Sequence, residues 1–155
     1  MNDGLSDLRR REYFFDRIVL ECSRAAVTRQ AFTVVAMRLT APHSSDSEKI
    51  NRAIRALEPV VREFDCLSSL GPHEIGVLAH GVDNDEAPTL CNNLAQIVAN
   101  AFPGHGGTGR EVIAGYAVFP EDSEEAGTLI AMARESVMSN RTRLSAESEV
   151  DTGVA

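Results

Sequence analysis

Apolar residues open the chain at helical spacing. Phe14, Phe15, Ile18, Val19, Cys22, Ala25 and Ala26 recur three and four positions apart with charges between them, predicting an amphipathic helix over about Ser6–Gln30. The period then changes. Ala31–Leu39 is an apolar, β-branched run (Phe32, Thr33, Val34, Val35) that reads as a buried strand. Pro42 and Ser44-Ser45 break it. A second helix is expected from about Asp46, with Ile50, Ala53, Ile54, Leu57, Val61 and Phe64 on one face and a kink at Pro59. Cys66–Leu70 and Glu74–His80 read as short strands around Gly71-Pro72, a hairpin signal. Asp83-Asn84-Asp85 offers a cap for a helix that takes Pro88 in its first turn and packs Leu90, Leu94, Ile97 and Val98 inward. The glycine-rich link Gly104–Gly109 leads to a strand over Val112–Phe119, and Pro120-Glu121-Asp122-Ser123 starts a last helix to about Asn140.

The order is β-α-β-β-α-β with one helix added at each end. It predicts an α+β fold: a ferredoxin-like βαββαβ antiparallel sheet with helices on one face and extra N- and C-terminal helices. Residues 1–143 are expected to form one domain and 144–155, small and polar, a flexible tail.

Composition narrows the partners. A net charge of −8 weighs against a nucleic-acid polymer, whose affinity needs clustered cations, and the chain has no Trp for base stacking. No run is long and apolar enough for membrane insertion, and Arg9-Arg10-Arg11 has no apolar segment behind it, so no secretion signal is expected. Cys22, Cys66 and Cys91 share no short spacing, and Cys22 and Cys91 fall on apolar helix faces, which fits buried thiols in a reducing cytoplasm. His43, His73, His80 and His105 lack metal-ligand spacing. Gly104–Gly109 lacks the lysine of a phosphate loop and precedes a strand, so it reads as a connection.

Three segments carry a resemblance. Asp3-Gly4-Leu5-Ser6-Asp7-Leu8-Arg9-Arg10-Arg11-Glu12-Tyr13-Phe14, Ala114–Asp122 and Leu129–Arg141 follow in order the opening, strand-exit and last-helix patterns of the GGDEF family, the bacterial diguanylate cyclases. Gly71-Pro72-His73-Glu74-Ile75 stands where that family has its Gly-Gly-(Asp/Glu)-Glu-Phe hairpin. Arg62-Glu63-Phe64-Asp65 ends five residues before it and matches the Arg-x-x-Asp motif that binds cyclic di-GMP in the family.

The resemblance implies a scaffold without the chemistry. Joining two GTP molecules needs carboxylates that hold Mg²⁺ against phosphates. The family supplies them from positions that fall here at Arg38 and His73. A guanidinium at roughly 4 Å from such an ion costs several kcal/mol of repulsion at an effective dielectric of about 20. Pro72 removes a backbone N–H where the family uses glycine, and the guanine-contacting pair is missing from the shortened His43–Ser47 segment. Gly71 and Glu74 are retained, and Arg141 stands where a phosphate-contacting lysine is expected. The expectation is an inactive homologue with no catalytic residue, no metal and no cofactor. Arg62 and Asp65 are the candidate cyclic di-GMP site, set against the plainer reading of an i, i+3 pair at a helix end worth a few tenths of a kcal/mol. The expected partners are that nucleotide and a protein, including a second copy through the N-terminal helix. Residual GTP binding or cyclase activity through Glu74 and Arg141, or a ligand-free scaffold, are the alternatives.

Overall fold

The protein's structure, a computed structural model, describes residues 3–39, 46–61, 65–71, 73–101 and 112–137. Its elements are helix α1 (Asp3–Thr28), strand β1 (Phe32–Leu39), α2 (Asp46–Leu57), β2 (Cys66–Gly71), β3 (Glu74–His80), α3 (Ala87–Asn100) and β4 (Val112–Phe119), followed by α4 over residues 126–137. The strands form one antiparallel sheet in the order β2-β3-β1-β4, as the ferredoxin-like reading requires.

Alternation along the strands sorts the core into two layers. On one face Val35, Met37 and Leu39 of β1 and Ile75 and Val77 of β3 pack with Ile50, Ala53 and Leu57 of α2 and Leu94 and Val98 of α3. On the other, Phe32, Val34, Ala36 and Leu78 pack with Phe14 and Ile18 of α1 and Leu129, Ala133 and Val137 of α4. The expectation of helices on one face thus holds for the two crossover helices alone. The added helices cover the second face, because β1 and β3 are apolar on both sides and cannot leave either in water.

Two glycines set how closely that second layer approaches. A methyl at Gly76 would lie 2.8 Å from ring carbons of Phe14, so α1 seats its aromatic anchor directly on the backbone of β3. A methyl at Gly115 would collide with backbone atoms of Ala133, Ser136 and Val137, so α4 rests on β4.

Several boundaries differ from the sequence reading. The first helix stops at Thr28 rather than Gln30, because Arg29 turns to φ 60° and its N–H caps Ala25 O at 2.7 Å. Pro59 does not kink α2. The helix ends at Leu57, and the N–H groups of Val60 and Val61 both reach Leu57 O at 3.0 Å in a closing turn. Asp83 caps the turn before α3 rather than the helix itself: its Oδ1 accepts from the N–H of Asp85 and Glu86 at 3.0 Å, while Glu86 at the N-cap makes no side-chain cap. The last helix begins at residue 126, after a turn in which Asp122 Oδ2 accepts the Val118 N–H at 2.7 Å. Phe64, Gly104–Gly109, the expected end of the last helix at Asn140 and the tail 144–155 lie outside the described residues.

Gly115→Ala is expected to cost about 2 kcal/mol or more and to lower the melting temperature by roughly 4–8 °C, because helix backbone cannot yield as a side chain can. Gly71→Ala, where a methyl meets nothing within 4 Å, should melt within about a degree or two of wild type. Differential scanning calorimetry of the two variants checks the contrast. Burial pushes the Cys91 thiol up to about 12 from 9.0. Its neutral form is therefore favoured by folding, a contribution fully present below pH 9 and lost as pH rises toward about 12, readable in denaturant melts of wild type against Cys91→Ala.

Candidate functional site

Two clusters of polar side chains form on the face covered by α1 and α4, one at each end of β3. The first is at the hairpin. The β1–β3 register places Arg38 directly opposite Glu74, so both side chains share the face of Ala36 and Gly76. Arg38 is the one residue of β1 that is not buried. Glu74 is gripped from above by α4. Arg134 Nε donates to Glu74 Oε2 at 3.0 Å and Nη2 to Oε1 at 2.7 Å, a two-point fork. The carboxylate is only 12 % exposed, against 48 % for the arginine.

His73 occupies the exposed turn of the hairpin, and its carbonyl accepts the Leu39 N–H at 2.7 Å, tying the turn to the end of β1. Gly71 pairs with Glu74, with an irregularity in the ladder between Ser69 and Gly71. Beside the fork, a hollow of about 380 Å³ opens between α1 and α4, floored by Phe15, Leu70 and Ile130 and flanked by Arg11 and Arg134. Arg38, Gly71, His73 and Glu74 are thus brought to one edge, as their sequence positions implied. Pro72 and Arg141 lie outside the described residues. Arg134 was missed, and it sits 60 positions from its acid, with no local pattern to join them.

The second cluster surrounds Asp65. This aspartate precedes β2, and its Oδ1 accepts the His80 backbone N–H at 2.9 Å and lies 3.3 Å from His80 Nδ1. On its other side the ring meets Glu21 of α1, with Nε2 2.7 Å from Oε1. Side-chain exposures are 7 % for Asp65, 19 % for His80 and 11 % for Glu21. The chain Glu21–His80–Asp65 therefore staples the middle of α1 to the far end of β3. A doubly protonated imidazole donates to both carboxylates, whereas a single ring N–H serves one of them. Next to it, burial pushes the Cys66 thiol up, offset in part by the Arg17 guanidinium. Arg62, the other half of the motif, lies outside the described residues. Glu21 and His80 were missed by the sequence reading. The available signal was an acid at position 21 in the buried stripe of Phe14, Ile18 and Ala25.

Among the described residues no group of three or more His, Cys, Asp or Glu side chains is arranged to hold a metal ion, and no helix is long and apolar enough to cross a membrane. Cys22, Cys66 and Cys91 are all free thiols; Cys91 and Cys66 are buried and Cys22 half-buried.

With this geometry in view, the fold finds clear counterparts. No protein-family model and no curated relative matches the sequence. Solved structures do. A diguanylate cyclase (DGC) protein from Thermotoga maritima aligns at 17 % identity and a TM-score of 0.66 over 81 % of this chain and 92 % of its own. The GGDEF domain of FimX from Pseudomonas aeruginosa aligns at 17 % identity and 0.69, over 86 % and 88 %. The GGDEF domain of DgcB from Caulobacter crescentus, in complex with c-di-GMP, aligns at 12 % identity and 0.66, over 85 % and 82 %. The chain has the fold of a GGDEF domain, an α+β cyclase-like sheet and its helices.

Asp65→Ala removes the acceptor of the His80 backbone N–H and the contact at ring Nδ1, leaving Glu21 at Nε2. It is expected to lower stability by roughly 1.5–3 kcal/mol in urea melts, with Glu21→Ala costing a similar amount. If the two losses simply added in the double variant, the three side chains would not act as one unit.

Proposed function

We propose that the chain is a catalytically inactive GGDEF-like signalling module that acts through protein contacts, with cyclic di-GMP as its ligand at Arg62 and Asp65. The observation that carries this reading is the engagement of Glu74, the acid retained in the hairpin, by the Arg134 fork, with Arg38 facing it across the ladder. Mg²⁺ takes hard oxygen donors in a near-octahedral arrangement. This edge offers a guanidinium at position 38, an imidazole at 73 and a carboxylate at 74 that already serves a guanidinium. That donor set does not fit the ion, and no catalytic step follows from it.

Support for the ligand comes from the motif itself and from a fold neighbour, the DgcB domain in complex with c-di-GMP. Asp65 Oδ1 already accepts from His80, so a guanine edge would share the carboxylate with that contact.

Incubation with GTP and Mg²⁺, followed by ion-exchange chromatography of the nucleotides, is expected to return GTP alone. A cyclic or linear dinucleotide in the eluate would overturn the inactive reading. Calorimetry with cyclic di-GMP should give a heat that weakens at least tenfold in Arg62→Ala. No heat from folded wild-type protein would remove the ligand and leave the module acting by contact alone.

A further inference from the structure

Two matched stripes line the hollow of about 380 Å³ between α1 and α4. Phe14 rests on Gly76 and Glu21 reaches His80, so α1 runs from the hairpin end of β3 to its far end. α4 begins after β4 has reached that far end, where His80 and Phe119 flank Phe32, and it brings Arg134 back to Glu74. The two helices therefore run in opposite directions. Residues four apart share a helix face, so Arg11 and Phe15 of α1 stand across from Arg134 and Ile130 of α4. Both guanidiniums fall at the hairpin end, and Phe15 and Ile130 lie one turn further along, about 5.4 Å away.

The apolar end is open. Phe14 is fully buried, yet Phe15 beside it keeps 41 % of its surface in solvent. Gly127 continues the stripe of Ile130 and Arg134, and even a methyl there would stand 3.9 Å from the Phe15 ring, so any larger side chain would cover it. An apolar floor with a few polar groups converging at one end is the usual build of a small-molecule site, and this volume lies near the lower bound for one. Charge selects the head group. The fork to Glu74 uses two of the five N–H donors of Arg134 and leaves three, and Arg11 is exposed. Glu12 and Asp16 line the outer rim, about 100° further round α1. With Glu12, Asp16 and Glu74 set against Arg11 and Arg134, a ligand of either net charge meets like charge, whereas a zwitterion finds an opposite partner for each end. We propose that the hollow binds an apolar α-amino acid, its carboxylate at Arg11 and Arg134, its ammonium at Glu12 and Asp16, and its side chain over Phe15, Leu70 and Ile130. This site is separate from Arg62 and Asp65 and stands independently of the nucleotide reading.

Calorimetric titration of the full chain with L-phenylalanine and L-leucine tests it. Saturable binding is expected, with a Kd of about 1 mM or tighter. 3-Phenylpropionate, which lacks the ammonium, and 2-phenylethylamine, which lacks the carboxylate, should each bind at least tenfold more weakly than L-phenylalanine. Arg11→Gln and Glu12→Gln, both at exposed positions, should each weaken the amino acid at least tenfold with unchanged circular dichroism and melting. Gly127→Leu, exposed and in the first turn of α4, should abolish binding without lowering the melting temperature, since leucine favours a helix over glycine. Arg62→Ala should leave amino-acid binding as it is. No saturation by either amino acid at about 10 mM overturns the proposal. So does equal binding of 3-phenylpropionate, which would make this a plain acid site, or of 2-phenylethylamine, which would make it a cation site. Undiminished binding in Gly127→Leu, or lost binding in Arg62→Ala, would place the ligand elsewhere and overturn it as well.

Discussion

The antiparallel register between β1 and β3 is the constraint on which the rest of this structure depends. It pairs Phe32 with His80, Val34 with Leu78, Ala36 with Gly76 and Arg38 with Glu74. Side chains alternate, so a slip by one residue would carry every apolar group to the opposite layer. The strand that slipped would then turn its charge, Glu74 or Arg38, into the α2–α3 core, where it has no water and no partner. Both faces of β1 are apolar, so packing penalises the slip twice. The Leu39 N–H bonded to the His73 carbonyl closes the hairpin in the correct frame.

From that register the second helical layer follows. Gly76 lets Phe14 rest on the sheet, and Gly115 lets the backbone of α4 do the same. Only this close seating puts Arg134 within reach of Glu74. The same layer carries Glu21 over the opposite end of β3, where His80 joins it to Asp65. Each end of β3 is thus tied to a helix by charged side chains, with apolar packing between. The acids there, Glu74, Glu21 and Asp65, are largely shielded and matched, and a shielded acid without its partner costs far more than a matched pair contributes.

The fold constrains the hairpin's backbone more tightly than its side chains. The neighbouring GGDEF structures share under a fifth of their residues with this chain yet superpose over most of its length. Packing tolerates such divergence as long as volume and alternation are kept. A divalent-ion site does not, since its charge is set by a few side chains. At this hairpin a guanidinium at position 38 and an imidazole at position 73 stand at the end of an intact sheet, beside the Glu74 carboxylate.

Elements whose identity rests on local period were legible. β1, the hairpin strands and β4 match their sequence bounds closely, and α1 and α3 show their apolar stripes, because alternation and helical spacing are properties of neighbouring residues. Ends were less so: Pro59 stops α2 where a kink was expected, and Arg29 adopts a left-handed turn that nothing in its side chain announces. The edge holding Arg38, His73 and Glu74 was readable from a motif, and Asp65 likewise. Their partners were not. Arg134 lies 60 positions from Glu74 and Glu21 lies 59 from His80, and such pairs exist only once the sheet has brought distant segments together. The amino-acid order alone determined which segments are strands and helices and which residues stand at the hairpin. The tertiary structure decided which face each flanking helix covers and which cation holds which acid, because those choices are made by packing across the sheet rather than along the chain.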